Sequence, residues 1–258
     1  MSIQSVSKAL TILSLFSAAK THLGITEIGK SLGLTNPTVH GLVRTLVDSG
    51  FLEQDPETKK YHLGVRNYEL GHHFLGCSRV YQAGAPATHR LSQKTGLNSR
   101  LAVRDGDSVV VILLLYSRAE RFQYYQVGPR LPSYCTSVGK AILAWLSHDE
   151  LAEYLERTPL VPYTPRTITD RKHLLEDLEK ARLRGYVIDR EEIVPALVCA
   201  GAPIFDQSNT PIASLSISSG PNLLTLPNLS ELTDDLIQTA AEISYSLGYN
   251  RNIIPMRA

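Results

Sequence analysis

At 258 residues, 43% of them hydrophobic and 20% charged, the chain is long enough for two small domains and too apolar to stay disordered. Its longest apolar run, Val109 to Leu115, falls far short of the roughly 20 residues a membrane-spanning helix needs. The net charge of +1 divides mildly: residues 1–66 carry seven Lys/Arg against five Asp/Glu, and the remainder is −1. That excess is too small to establish nucleic-acid binding by itself.

Cys77, Cys135 and Cys199 are odd in number, widely spaced and form no CxxC pair, which implies neither a disulfide framework nor a cysteine zinc site. The opening MSIQSVSKALTILSLF lacks a basic leader, and its apolar residues fall at helical spacing, so a cytoplasmic protein is expected.

In chain order, Val6, Ala9, Leu10, Leu13 and Phe16 recur at helical spacing and predict a first helix from Ser5 to Ser17 with one packed stripe. Thr26 is placed to cap a short second helix ending at Leu32, with Gly33 as a left-handed stop. Thr35 is placed to cap a third helix, with Pro37 in its first turn. In that helix Val39, Leu42, Val43 and Leu46 face inward. Pro37, His40, Gly41, Arg44 and Asp48 face outward, with Asn36 and Thr38 at the N-terminal end. This is a helix-turn-helix pattern, whose second helix presents such side chains to base edges and phosphates in the major groove. Phe51-Leu52, the turn Asp55 to Lys60 and Tyr61 to Leu63 read as a hairpin, a wing with a basic tip. The expected DNA contacts are Thr35, Asn36, Thr38, His40 and Arg44, with Arg44 the leading one, and Lys59 and Lys60 on phosphate. The same pattern also fits a three-helix packing module, or a winged helix that contacts protein.

A joining helix is predicted from Arg66 to Val80, with Tyr68, Leu70, Phe74 and Leu75 making apolar contacts. His72, His73 and Cys77 fall short of the four ligands of a structural zinc site, so no metal is expected. Further helices are predicted at Pro86–Lys94, Val138–Leu146, Asp149–Glu156 with a capping box from Ser147 to Glu150, and Asp170–Arg184. Strands are predicted at Arg100–Val103, Val109–Tyr116, Tyr186–Arg190, Val198–Phe205 and Pro211–Ser218. An amphipathic helix carrying Leu229, Leu232, Leu236, Ile237, Ala240, Ile243 and Leu247 ends at Gly248. The class is α+β.

Two sets of segments, in order, carry a family resemblance. QSVSKALTILSLF, TEIGKSLGL, PTVHGLVRTLVDSGFL and YHLG come first; VGPRLPSYCTSVGKAILAWLS, GYVIDREE, VCAGAPIFD and ASLSISSG follow. Together they resemble the IclR family of bacterial transcriptional regulators over nearly the whole chain. The resemblance implies a winged helix-turn-helix at 1–65, a linker helix at 66–80, a GAF-like α/β effector-binding domain at 81–250 and a tail at 251–258. Two outward positions depart from the family pattern: Gly41 where Arg is common, and Pro37 where a hydroxyl residue is common. The family's operator therefore does not carry over.

Four features of the second half point to a ligand pocket. Thr136-Ser137-Val138-Gly139 opens a helix whose unpaired N–H groups suit a carboxylate. Ser216 and Ser218 share one strand face. Asp189 and Cys199 sit at strand positions from which a ligand hydroxyl or hydrated carbonyl is within reach. The same features leave room for solvent-facing serines, a core cysteine and an Asp189 paired with Arg184 or Arg190. By resemblance, the effector residues are Leu131, Ser137, Val138, Asp189, Cys199, Ser216 and Ser218. Apart from the resemblance, Leu131, Tyr124 and Tyr134 are expected as apolar walls. Cys135 or Cys199 with His89, His148 or His173 forms no motif, and nucleotide-loop, HExxH and GxSxG signatures are absent from the sequence. Neither an enzyme nor a cofactor is expected. The expected protein is a homodimer or homotetramer that binds a palindromic double-stranded operator under control of a small carboxylic acid, by resemblance a repressor of a catabolic operon. An activator or a ligand-sensing interaction module stands as the alternative.

Overall fold

A computed structural model describes residues 3–117, 128, 130–220, 222 and 229–250. The predicted tail at 251–258 and Tyr124 lie outside the described residues. The chain divides into two compact units, Met1–Cys77 and Ser78–Ala258.

The first unit runs α1 (Gln4–Ser14), α2 (Ile25–Leu32), α3 (Asn36–Asp48), β1 (Leu52–Gln54), β2 (Tyr61–Leu63) and α4 (Arg66–Cys77). Its core gathers Ile12, Ile28, Leu52 and Tyr61 from α1, α2, β1 and β2, three residues of α3 (Val39, Val43 and Leu46), and Leu23 from the segment before α2. That segment joins the hairpin through paired backbone bonds between Leu23 and Tyr61, both 2.9 Å, so the wing is fixed to the helices. Gly33 ends α2 at φ 65°, as its sequence position predicted.

Four local readings need correction. The first helix does not present one packed stripe: Ile12 is its buried residue, while Val6 and Leu10 are 53% and 60% exposed. Thr26 does not cap α2. Instead the Glu27 carboxylate reaches back to accept the Gly24 N–H at 2.7 Å, the acidic half of a capping box. Thr35 occupies the N-cap position of α3 without a capping bond; its hydroxyl pairs with that of Thr38 at 3.0 Å. In α4, Tyr68, Leu70 and Phe74 are exposed rather than packed.

The second unit runs α5 (Arg79–Thr95), β3 (Asn98–Asp105), β4 (Ser108–Leu115), β5 (Arg130–Pro132), α6 (Ser137–Leu143), α7 (His148–Arg157), α8 (Arg171–Arg184), β6 (Val187–Arg190), β7 (Val198–Phe205), β8 (Pro211–Ser219) and α9 (Leu229–Ser246). The six strands form one sheet in the order β5-β4-β3-β8-β7-β6, antiparallel at every pairing. With helices on both faces this is the expected α+β architecture. Helix α5 starts seven residues earlier than predicted because Ser78 caps it, accepting the Tyr81 N–H at 3.2 Å, and Pro86 is carried inside it. Strand β5 was not predicted.

Register determines what each face carries. Directly paired antiparallel residues point to the same side, so Asp189, Cys199, Ser218 and Asn98 form one cross-strand row. Val187, Gly201, Ser216, Arg100 and Leu114 form the next. This side faces α6. The opposite side, carrying Leu101, Leu215 and Ala202, packs under α5: a Cβ placed on Gly84 of α5 would lie 2.6 Å from Leu101 Cδ2.

Gly201 sets the distance between sheet and α6. A Cβ there would lie 2.5 Å from Ser137 O and 2.8 Å from Ser137 C, and backbone atoms have no rotamer by which to retreat. Gly201→Ala is expected to displace the start of α6 and destabilise the chain by about 1–3 kcal/mol, read as a lower urea midpoint with an unchanged m-value. An unchanged midpoint would show that the α6 approach is not tight.

Candidate DNA-reading face and effector cavity

Helix α3 separates its residues as the pattern predicts. Val39, Val43 and Leu46 are buried, and Thr35, Asn36, Thr38, His40 and Arg44 are exposed. Arg44 lies 3.9 Å from Asp48, one turn on, with both side chains at least 70% exposed. Such a surface pair is weak and exchangeable, so Arg44 is available to a nucleic acid at little cost. The wing tip is ordered by Asp55, whose Oδ1 accepts the N–H groups of Glu57 and Thr58 at 3.0 and 2.6 Å and the Thr58 hydroxyl at 2.9 Å. The Thr58 bonds hold the Asp55 carboxyl below its ordinary range. Lys59, at φ 57°, is exposed at this tip. Lys60 instead lies 3.4 Å from Glu27 of α2.

In the second unit a cavity of about 70 Å³ opens between the sheet and the start of α6. Leu131, Ser137, Val138, Asp189 and Cys199 line it together with Thr136. Sequence reasoning had placed the first five there. It missed Arg100 and Val111 from the sheet, and Ile193, Val194 and Leu197 from the loop joining β6 to β7. Ser216 and Ser218 are fully buried on the adjoining sheet face and lie outside the lining. Tyr134 is buried but is not a wall; its hydroxyl donates to Val161 O at 2.6 Å. A volume of this size accommodates a few non-hydrogen atoms or several waters. A larger groove of about 630 Å³ between α5 and the end of β4 has no carboxylate, lysine or arginine among its described lining residues.

The polar groups are unevenly satisfied. Ser218 Oγ accepts from Arg100 Nη1 at 2.7 Å, whereas the Ser216 hydroxyl has no hydrogen-bond partner among the described residues. Asp189 forms no ion pair with Arg184 or Arg190. Its Oδ1 accepts the Glu192 N–H at 2.8 Å, and burial, opposed by that bond, pushes its pKa up to about 7. Burial, reinforced by nearby Asp189, pushes the Cys199 thiol up to about 12, and Cys135 is raised to a similar value. Both therefore stay protonated at neutral pH and are poor nucleophiles. One turn along α6 from Ser137, the fully buried Lys140 Nζ donates to Glu192 Oε1 at 2.6 Å, Ile188 O at 2.6 Å and Asp177 Oδ2 at 2.8 Å.

The loop that closes the cavity is held by its backbone. Glu191 and Ala196 have positive φ of 65° and 61°, an uncommon conformation for residues with a Cβ. The Thr164 and Thr167 hydroxyls fix the carbonyls of Glu191 and Glu192 at 2.8 and 2.5 Å. The loop signal was not legible as a wall because its apolar residues follow no strand or helix period.

Folded Asp189 keeps its proton to about pH 7, whereas an unfolded aspartate loses it near 3.8. Folding thus takes up a proton between these values, and stability falls as pH rises through that window. The groups around it, Glu192, Lys140, Arg100 and Cys199, are present in both backgrounds compared. Asp189→Asn removes the effect, so its stability gain over the wild type should be larger at pH 8 than at pH 5 in urea titrations. Equal differences at the two values would mean that Asp189 ionises normally.

Comparison with known proteins places both units. Residues 5–56 match the IclR helix-turn-helix domain, and residues 72–245 match the bacterial transcriptional regulator IclR C-terminal domain. The chain is 35% identical to the HTH-type transcriptional regulator XynR of Escherichia coli K12, over 96% of this chain and 98% of that protein. Among solved structures it resembles the Thermotoga maritima IclR, at 30% identity and a TM-score of 0.75, covering 95% of this chain and 99% of that one. It also resembles an IclR homologue from Microbacterium hydrocarbonoxydans complexed with 4-hydroxybenzoate, at 26% identity and a TM-score of 0.79, covering 94% of this chain and 98% of that one. With a buried-backed helix-turn-helix in one unit, a polar cavity in the other and family matches to both, the chain belongs to the IclR family of DNA-binding transcriptional regulators.

Proposed function

We propose that this regulator is a cytoplasmic, homodimeric repressor of a catabolic operon, released from a palindromic operator when a small organic acid fills the cavity beneath α6. The observation that carries the DNA half is α3, whose N-terminal turns expose Thr35, Asn36, Thr38 and His40, with Arg44 one turn further along, over a fully apolar back. In the proposed complex Arg44 and the α3 start read base edges, and Lys59 meets phosphate. Lys60 contributes by exchanging its Glu27 contact for phosphate. Gly41 contributes backbone alone, so sequence reading falls on fewer side chains than the family pattern offers.

Dimerisation is supported by an apolar surface that the first unit leaves uncovered. Ile3, Val6 and Leu10 are 70%, 53% and 60% exposed, at helical spacing along α1 and the residue before it. Tyr68, Leu70 and Phe74 are exposed on α4, which has no buried residue of its own. Exposed apolar stripes of this kind mark association surfaces, and a second copy supplies the second reading head that a palindrome requires.

Repression is supported by relatives that bear that name, among them the transcriptional repressor IclR of Escherichia coli, 29% identical over 95% of this chain. An acid effector is supported by the cavity's buried polar groups and by the homologue complexed with 4-hydroxybenzoate.

Fluorescence anisotropy on the DNA upstream of the protein's own gene tests this reading. Binding should weaken steeply with salt, because phosphate contacts release counterions. Arg44→Ala should lose about 1–3 kcal/mol, confined to operator sequence if Arg44 reads a base and shared with random DNA if it touches phosphate. Binding that is absent, or that ignores both salt and Arg44→Ala, would overturn the DNA-reading assignment of α3.

A further inference from the structure

The sheet face that carries Asp189 and Cys199 also carries an arginine. Arg100 stands on β3 opposite Ser216, is 6% exposed and lines the cavity. Its Nη1 donates to Ser218 on the neighbouring strand, and its charge works against the burial that raises the Cys199 thiol. The side chain thus crosses β8 towards β7. Cys199 pairs in turn with Asp189 on β6, so the cation and the aspartate lie on one face of the sheet.

A guanidinium is costly to bury, and its planar fork of donors matches a carboxylate with two parallel bonds. Around it, Val111, Leu131 and Val138 supply apolar walls, where a charge-assisted pair is strong. The other end of the cavity has the opposite character. Asp189 commits Oδ1 to the Glu192 N–H and offers its remaining oxygen, which suits a hydroxyl donor and repels a second carboxylate when ionised.

We propose that Arg100 clamps the effector's carboxylate and that Asp189 takes the effector's hydroxyl, so the cavity selects small hydroxy monocarboxylates. This rests on the reading of the cavity as the effector site. The cavity of about 70 Å³ suits a small acid held between Arg100 and Asp189.

Isothermal titration of the full chain at pH 8, where Asp189 is ionised, with lactate, propanoate, lactamide and malonate tests the assignment, using the wild type, Arg100→Gln and Arg100→Lys, each checked for cooperative thermal unfolding. Lactate should bind at least tenfold tighter than propanoate, which lacks the hydroxyl, and at least tenfold tighter than malonate, which adds a second carboxylate. Lactamide, which lacks the charge, should be weakest. Arg100→Gln should reduce lactate affinity at least 30-fold and bring it to that of lactamide. Arg100→Lys should fall between, since a point charge replaces the fork, and it carries the test if Arg100→Gln does not fold. Acid binding that survives both substitutions unchanged would overturn the role of Arg100 while leaving the effector site standing. Equal affinity for lactate and propanoate would overturn the hydroxyl contact. No acid binding to the wild type would overturn the acid-site reading itself, and this inference with it.

Discussion

The cavity of the second unit depends on one buried cation. Lys140 has no exposed surface, and burial alone would drive its ammonium towards neutrality. Glu192 and Asp177 outweigh that cost and hold it charged. Its acceptors come from three different elements: Asp177 from α8, Ile188 O from β6 and Glu192 from the loop after β6. Removing one member of such a group leaves an uncompensated buried charge, which is far more damaging than losing a surface pair. Both walls of the cavity hang from this point. One turn before Lys140, α6 presents Ser137 and Val138, and one residue past Glu192 the loop presents Ile193 and Val194.

The two functional surfaces are built on opposite physical terms. On α3 the contact residues are exposed, loosely paired and inexpensive to redirect, as suits a face that must exchange water and counterions for phosphate. Around the cavity Arg100 and Asp189 of the lining, with Ser216 and Ser218 on the adjoining sheet face, are almost fully withdrawn from solvent, so a ligand there meets fixed polar groups rather than water. It controls the first unit only as far as it binds one arrangement of the reading heads more tightly than another.

Much of this was legible in the sequence where one periodicity sufficed. The inward positions Val39, Val43 and Leu46, the Gly33 stop and the Ser147–Glu150 capping box all follow from spacing within a single element, and all are present. Spacing does not say which neighbour covers a face: of the predicted stripe Ala9, Leu13 and Phe16 pack against the core beside Ile12, while Val6 and Leu10 stay exposed. Pro86 was taken to start a helix that Ser78 starts instead, and three-residue β5 is too short to show alternation. Asp189, Cys199 and Ser218 share a row only through inter-strand register, which no single strand encodes. Their grouping came from family resemblance. Arg100 and Lys140 are not legible as interior residues, because charged residues are rarely buried. The one local signal for Arg100 is its place beside the apolar run Leu101-Ala102-Val103.

The central claim is that cavity and reading head share one free energy of coupling, and reciprocity tests it most directly. Operator affinity should be measured with and without saturating acid, and acid affinity with and without saturating operator. The account predicts that the two ratios are equal, since linkage allows no other result, and that both collapse to one when Asp189 or Arg100 is substituted. An acid that binds the cavity yet leaves operator affinity unchanged would contradict it.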